Sequence, residues 1–498
     1  MKPFTQLFSF FILLLFSSSA FAEFIEEPLI IKEQYPSKDA VELTADDVAR
    51  FAVLRSLNIQ VAQTDFSIKT QDITESLARY DTNLTANAFY EWEEEEQPTV
   101  ILGNRSITGH LDASLKKKTP FGLEVELFHE TQRNSTNSAF SAINPVYESH
   151  AGLEIRQALL QNFFGIVDRS EVNLVKLDVS QFREEVLDQI ETIVFDSRTA
   201  FWSYVETIRF LETQQKGYEF SKDFYEIVKK QLDTGLSELP DFYAAEANLR
   251  EKIQNILDAQ LQVKIAMNEL KLQLSYYDEL APKQELTFTD VKVSFDEVMD
   301  TAMKYRRDYK QKLIDIESSG IQIKVDRMKK LPQLDGVAIY GSNALDEDLV
   351  PEQGEVFGFN HARYYVGFEL SYPLENRQAK ADEQRSQLEL KKAKLELEQL
   401  TQQIQVDVEN VYKEITISNE KVRQAIKIAE LQKKKLEEEL KQYRVGRSSS
   451  KIIIDYQNDA LDAETGKIEA FVEYEIAKDL LLFTQNRLLE ALDLTVKL

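Results

Sequence analysis

The fold is decided by a pattern that occurs twice, as His150-Ala-Gly-Leu-Glu-Ile-Arg-Gln-Ala-Leu-Leu160 and as Tyr365-Val-Gly-Phe-Glu-Leu-Ser-Tyr-Pro-Leu-Glu375. Gly152 of the first copy corresponds to Gly367 of the second, 215 positions on. Each copy alternates apolar and polar residues like a β-strand, and each runs straight into a long helical pattern. Such a duplicated unit is unusual. It predicts a protein that stands in a membrane on a β-barrel and extends into water on helices.

Apolar residues with a period of two predict six strands, which include the two copies. They are predicted at about 84–92, 107–117, 122–130 and 149–158 in the first half, and at 333–342 and 363–373, around a loop at 343–362, in the second half. Each has about the 9–11 residues of a tilted barrel strand. In the last strand, an apolar face with aromatic ends predicts contact with lipid; it comprises Tyr364, Val366, Phe368, Leu370 and Tyr372. Taken alone, one such strand would also suit a soluble sandwich.

Two long helical patterns contain no proline. They cover about 167–233, where Gly217 is the only glycine, and about 377–445. At ~1.5 Å per residue each would be roughly 100 Å long. The second has the spacing of a coiled-coil seam, with Leu397, Leu400, Ile404, Val408, Val411 and Ile415. Shorter helices, predicted at about 44–79, 237–279, 294–330 and 449–494, would stack end to end beside the long ones.

The chain therefore divides into three segments. Residues 1–22 are predicted to be a secretory signal, with Lys2, an apolar core and the cleavage site Ala20-Phe-Ala22; the alternative is a retained membrane anchor. The first repeat (23–280) contains a helix, strands at about 82–160 and a long helix pair. The second repeat (281–498) contains a helix, strands at about 333–373 and a second long helix pair.

Composition excludes several classes of protein. The chain has no cysteine, so it offers no thiolate metal site, no disulfide and no cysteine for lipid anchoring. Its formal net charge of −26 argues against nucleic acid as a partner and weakly favours cations in any internal passage. No run of 18 apolar residues follows the signal, so any membrane contact is expected through a closed barrel.

No pattern of residues predicts catalysis. The four histidines lie apart, at positions 110, 129, 150 and 361, without zinc-ligand spacing. Gly-rich phosphate loops and Gly-x-Ser-x-Gly motifs are also absent from the sequence. We expect no enzyme activity, no cofactor and no metal site.

Several motifs recur in a fixed order. Tyr372-Pro-Leu374 joins a strand to a helix, and Leu331-Pro-Gln-Leu334 joins a helix to a strand. A helix-tip pattern occurs twice, at Gly235-Leu-Ser-Glu-Leu-Pro-Asp241 and at Gly446-Arg-Ser448. With these motifs the chain resembles the TolC-like outer-membrane efflux and secretion ducts over almost its whole mature length. It departs from their leanest pattern by the strand pair at about 107–130, which either joins the barrel or forms an extracellular hairpin.

The resemblance implies a mainly α protein with a membrane β-barrel. Three copies would share one β-barrel and one periplasmic α-helical coiled-coil barrel. It implies a passive exit duct of a tripartite efflux or type I secretion system, in the outer membrane and extending into the periplasm. The implied partners are a periplasmic adaptor (membrane fusion) protein, an inner-membrane pump and outer-membrane lipid. The alternative is a structural periplasmic coiled-coil envelope protein without transport activity, and the cargo is not readable.

The resemblance also assigns a periplasmic gate at the helix tips. The tip turns would be made by Gly235 and Gly446, and the positions matching gate or aperture residues fall on Asp241, Tyr443 and Asp455. The second acidic position falls on Ile452, which carries no charge. The family's gating arginine falls on Ser448, although Arg447 is adjacent.

Overall fold

The computed structural model describes residue 36 and residues 40–498, so the predicted signal lies outside the described residues. The described chain has two parts, a six-stranded antiparallel sheet and a body of long helices. Among the described helices, none combines the length and apolarity needed to cross a bilayer.

The sheet contains six strands, which follow one another across the sheet in chain order. Its strands are β2 (Thr82–Glu94), β3 (Arg105–Lys118), β4 (Leu123–Thr136), β5 (Val146–Ala158), β7 (Gln333–Asp346) and β8 (Ala362–Ser371). Every neighbouring pair is antiparallel. A separate pair of short strands, β1 (Val41–Leu43) and β6 (Leu280–Pro282), runs parallel. Within one chain, β2 and β8 form the two edges of the large sheet.

The strand pair whose place the sequence left open lies inside the sheet. β3 pairs with β2 from Lys117 opposite Thr82 to Arg105 opposite Glu94, and β4 pairs with β5 over almost its whole length. The pair therefore widens the sheet and does not form a separate hairpin. Because two strands are inserted, the alternating strand direction of the sheet is preserved.

The helical body is built on two helices of equal length. α3 (Ile166–Asp233) and α8 (Arg377–Arg444) each have 68 residues, which corresponds to about 100 Å. The other helices are α1 (Ala45–Arg55), α2 (Leu57–Leu77), α4 (Leu239–Leu274), α5 (Phe295–Tyr305), α6 (Arg307–Lys329), α7 (Leu349–Phe357), α9 (Ser450–Thr484) and α10 (Leu488–Ala491). α3 packs along α4, α8 packs along α9, and α3 also contacts α9.

The predicted seam of α8 is largely buried. Ile404, Val408, Val411 and Ile415 are buried in the helical core, whereas Leu397 and Leu400 are half-buried. The spacing of threes and fours thus identified the contact face of this helix, because only residues that recur on one side can meet a neighbouring helix.

The helix predicted at about 449–494 ends at Thr484, and α10 follows it as a separate short helix. Two more helices predicted to be continuous, at about 44–79 and 294–330, are also broken. The first breaks at Ser56 (φ −55°, ψ 123°) and the other at Arg306 (φ −55°, ψ 127°). Each break frees a backbone N–H that a distant side chain accepts. Leu57 N donates to Ser275 Oγ (3.1 Å) and Arg307 N donates to Asn486 Oδ1 (3.0 Å).

The two breaks are equivalent in the duplicated fold. Ser275 and Asn486 both have left-handed backbones, with φ of 51°, and lie just past the ends of α4 and α9. Each therefore marks the level at which two shorter helices meet end to end beside a long one. Long-range hydrogen bonds satisfy the backbone at both breaks, and neither break contains a proline or a glycine that would indicate it in the sequence.

The predicted loop at 343–362 is also wrong in part. β7 runs on to Asp346, and the nine residues of α7 follow. α7 lies against β5 and β7 and buries Val356 against Ala151 and Ala344. A helix of this length shows too few apolar repeats for its period to be read from sequence.

Candidate functional site

The ends of the long helices have nearly identical turns. At the first tip, Gly235 N donates to Leu232 O (2.9 Å) and Leu236 N donates to Gln231 O (2.7 Å). At the second, Gly446 N donates to Tyr443 O and Arg447 N to Gln442 O, both at 2.9 Å. This pair of bonds is the Schellman motif, which satisfies the last carbonyls of a helix.

Backbone conformation is what requires glycine at both tips. Gly235 and Gly446 have φ of +74° and +72°, and a Cβ added at either position would meet nothing within 4 Å. Space would therefore permit a side chain, but the left-handed conformation disfavours one. The structure places both predicted tip glycines at the turns.

Tyr443 connects two helical pairs beside the second tip. Its hydroxyl donates to Gln231 Oε1 on α3 (2.8 Å) and lies 3.1 Å from Ser450 Oγ at the start of α9. Its ring packs on Phe224 with centroids 5.3 Å apart. Burial raises the pKa of Tyr443, with a further contribution from the negative charge of Asp241. The hydroxyl therefore stays protonated and donates near neutral pH.

Asp241 lies near this connection without bonding to Tyr443. It is half-buried in the first turn of α4, where Asp241 N donates to Glu238 O (3.1 Å). A carboxylate in the first turn of a helix is stabilised by the helix dipole. The structure thus brings Asp241 and Tyr443 to the same region of one protomer.

The other predicted gate residues stand apart from this connection. Arg447 and Asp455 are both exposed, and in the described part of the chain neither forms a salt bridge. Ile452, at the uncharged second aperture position, is also exposed. Ser448 is half-buried, and its hydroxyl has no hydrogen-bond partner among the described residues. The role of these residues in a gate stays a prediction.

A buried polar network further along the helices was missed by sequence reasoning. Gln457 Nε2 on α9 donates to Ser221 Oγ (2.6 Å) and to Gly217 O (2.9 Å), both on α3. Asn248 Nδ2 on α4 donates to the same Ser221 Oγ (3.0 Å). Gln457, Ser221 and Asn248 are all buried. The network joins the α3/α4 pair to α9, so separating them would break these hydrogen bonds.

Gly217 explains why α3 approaches α9 so closely at this level. A Cβ added there would lie 2.8 Å from Leu461 Cδ1 of α9. The single glycine of the predicted first long helix was the one available signal, because a glycine inside a helix often marks a close approach.

The sheet has one apolar and one polar face. Directly paired residues share a face, so the register assigns the sides of all six strands. The face that we call the apolar face includes Leu84, Tyr90, Trp92, Leu111, Leu115, Leu127, Leu153, Ile155, Tyr340, Tyr364, Val366, Phe368 and Leu370. α7 covers its end far from the helices, where Gln353 Nε2 donates to Thr131 Oγ1 and Ser149 Oγ (both 2.9 Å).

The residues predicted to face lipid are exposed in the single chain. Tyr364, Val366, Phe368 and Leu370 are 68–81% exposed, and Tyr372, just past the end of β8, is 40% exposed. Apolar side chains that are this exposed and this contiguous mark an interaction surface. Their contact with lipid remains a prediction.

The opposite face, which we call the polar face, carries charged groups. Arg156 Nη2 donates to Glu154 Oε1 (3.1 Å), and its Nη1 donates to Glu369 Oε2 and lies 3.8 Å from Asp335 Oδ2. No cluster of three His, Asp or Glu side chains suited to a metal ion occurs among the described residues.

Comparison with known proteins shows the fold. The sequence matches no family profile and no curated protein. Among solved structures, CusC, studied for conformational changes during folding and transmembrane channel formation, aligns with a TM-score of 0.68 at 13% identity, covering 92% of this chain and 98% of CusC. The Campylobacter jejuni CmeC outer membrane channel aligns with a TM-score of 0.62 at 12% identity, covering 92% and 91%.

The open state of the Neisseria gonorrhoeae MtrE outer membrane channel aligns with a TM-score of 0.65 at 15% identity, covering 89% of each chain. The chain therefore has the fold of outer-membrane channels of this kind, and the predicted fold class, strands combined with a long helical body, is confirmed. The coverage of both chains shows that the fold is shared along nearly their whole lengths.

Proposed function

We propose that this protein is a passive exit duct of the bacterial outer membrane, assembled as a homotrimer and extending into the periplasm. The main support is the exposed apolar face of the sheet, together with the helices about 100 Å long that follow its strands in the chain. One end of the molecule thus suits lipid and the other suits water. In a structural periplasmic protein the exposed apolar side chains of Val366 and Phe368 would face water.

Assembly with further copies accounts for exposed apolar residues in the helical body as well. Ile417, Ile428 and Leu431 on α8 are each more than half exposed, although neighbouring seam residues are buried. Burying them against other helices would remove apolar surface from water, which contributes about 25 cal/mol of favourable free energy per Å².

The helix tips would form the gate of the duct. In three copies, Asp241 and Asp455 would each occur three times around the axis, so that their charges repel one another and attract cations. The hydrogen bond from Tyr443 to Gln231 and the network around Gln457 hold each protomer in the conformation described. Arg447, which is exposed at the second tip, would meet an acidic group on another chain.

Without a partner the duct would open only briefly and infrequently, and sustained opening requires a partner that binds the separated helices better than the closed ones. A periplasmic adaptor docked on the helical body would supply that difference, and an inner-membrane pump would supply energy. The duct would serve a tripartite efflux or type I secretion system in this way. The cargo would be chosen by the pump, because a wide passage discriminates little.

Planar bilayer recording of the purified protein tests this function. We expect discrete current steps with a preference for cations, and folded protein that never conducts would refute the proposal. Asp455→Asn is expected to lower the cation preference, as measured by the reversal potential in a salt gradient. Asp459→Asn is the matched control, because Asp459 is already paired with Lys435 (2.6 Å); equal effects of both variants would count against an aperture at Asp455.

A further inference from the structure

The two edges of the sheet are unpaired strands on a surface suited to lipid. Every residue of β2 is exposed, and all but one residue of β8 are exposed. In the hydrocarbon of a bilayer no water is present to satisfy an open edge, and each unsatisfied backbone group costs several kcal/mol. Both edges must therefore be paired by another strand when the sheet lies in lipid.

The two edges are complementary to each other. Neighbouring strands alternate in direction across the sheet. β2 and β8, the first and sixth strands, therefore run in opposite directions. β8 of one copy can thus pair antiparallel with β2 of the next. The ladder register places Leu84 and Ala86 of β2 on the same face as Val366 and Phe368 of β8. Pairing would continue the apolar face across the joint, and repetition of such a head-to-tail contact closes a ring when the rotations between copies add up to a full turn.

The number of strands matches the width of the helical body. Strands about 4.8 Å apart and tilted by about 40° each occupy ~6.3 Å of circumference. Six strands therefore span ~38 Å, whereas four strands, without β3 and β4, would span only ~25 Å by the same spacing. Each copy has four helices side by side at any level, and at 8–10 Å between axes these span about 32–40 Å.

We propose that β8 of each copy pairs with β2 of the next, and that three copies close a barrel of 18 strands. This inference rests on the proposed trimeric duct. The circumference corresponds to a backbone diameter of ~36 Å, against ~24 Å for a barrel without the inserted strands. At this tilt, the inserted β3–β4 pair brings the barrel circumference to that of the helical tube.

Cysteine cross-linking tests the joint, since the chain has no cysteine of its own. Ala86→Cys is combined in turn with Tyr364→Cys, Val366→Cys, Phe368→Cys or Leu370→Cys on the same face. The control combinations use Tyr365→Cys or Glu369→Cys, on the opposite face. Within one copy the two edges are about 24 Å apart, five strand spacings, so an oxidative cross-link must join two copies.

We expect covalent dimers and trimers from one or two adjacent same-face combinations, and none from the controls. Folded, membrane-inserted protein in which no same-face combination cross-links would overturn the proposal, and so would equal cross-linking by the controls. Because the readout is a gel of unfolded chains, it does not depend on conductance. A protein that cross-links but never conducts would refute the proposed function and still support the pairing of β8 with β2.

Imaging of the particle in lipid nanodiscs by electron cryomicroscopy tests the strand number. The wild type is expected to show 18 strands and a diameter near ~36 Å. Deletion of residues 105–136 removes β3 and β4 and preserves the alternation of directions, so this variant is expected to show 12 strands and ~24 Å. A conducting wild type with 12 strands in its barrel would overturn the inference alone. If the deletion variant does not fold, the wild-type count still decides.

Discussion

Replacing Tyr443 with phenylalanine is expected to favour the open duct. The hydroxyl of Tyr443 donates to Gln231 across two helical pairs, at 2.8 Å, whereas its ring packs on Phe224. Tyr443→Phe keeps the ring and removes the hydrogen bond. The tyrosine is buried, so its loss falls on the conformation in which the pairs are joined.

The magnitude follows from one hydrogen bond per copy. Such a bond contributes about 1 kcal/mol net. If three copies open together, the closed trimer loses about 3 kcal/mol relative to the open one, which shifts the equilibrium roughly 100-fold. A duct that is open for one part in a thousand would then be open for about a tenth of the time by the same conversion.

Single-channel recording of open probability measures this shift. Tyr456→Phe is the control, because the ring of Tyr456 lies against Lys435 Nζ (4.1 Å) and phenylalanine retains that contact. An increase of ten-fold or more for Tyr443→Phe with no change for Tyr456→Phe is expected. An open probability for Tyr443→Phe equal to that of the control would refute the assignment of this tyrosine to the gate.

Four further substitutions probe stability. Gly446→Ala should destabilise the tip by about 1–2 kcal/mol, because alanine disfavours a φ of +72°. Gly466→Ala, within α9 and with open space around it, should instead stabilise by about 0.5–1 kcal/mol. Changes of the same sign in the melting temperatures of the two glycine variants would contradict this. Asp479→Ala leaves buried Arg198 without its bidentate partner (2.8 and 2.9 Å), so a loss of about 3–5 kcal/mol is expected in denaturant unfolding, and a loss below 1 kcal/mol would refute it. Burial raises the pKa of Glu191, so its contribution favours folding at low pH and is lost as pH rises through the folded-state pKa. Glu191→Gln should flatten that dependence in melts from pH 4 upward, and an unchanged slope would refute it.

The long helices were predictable because their signals are local. Sixty-eight residues without proline, with apolar residues every three or four positions, permit little besides a helix. The tip turns were predictable for a related reason, since a left-handed residue at a helix end favours glycine. Neither inference required knowledge of distant neighbours.

The features that sequence missed depend on distant partners. The breaks at Ser56 and Arg306 are stabilised by Ser275 and Asn486, more than 170 positions away along the chain. The inserted strand pair could be read as strands but not placed, because strand order is set by non-local pairing. The hydrogen bonds of Gln457 reach residues on α3, 236 and 240 positions earlier. In each case the residue types were visible and their partners were not.

The predicted gate residues were identified only in part from the sequence. The structure places Tyr443 and Asp241 near each other within one copy, whereas Arg447 and Asp455 are exposed and have no salt bridge among the described residues. Their roles depend on contacts between copies, which no pattern within a single chain specifies. Assignment of these two residues to the gate therefore remains a prediction from the resemblance.

The placement of the sheet in lipid can be tested directly through the two tryptophans of the chain. Trp92 lies on the apolar face and is 65% exposed, whereas Trp202 is buried in α3 at 2% exposure. In vesicles whose acyl chains carry bromine, a quencher of indole fluorescence at short range, the emission of Trp92 should be strongly quenched. Trp92→Phe protein, which retains only Trp202, should be insensitive to the bromine. Emission from Trp92 that bromine leaves unchanged would show that the apolar face does not lie in the bilayer.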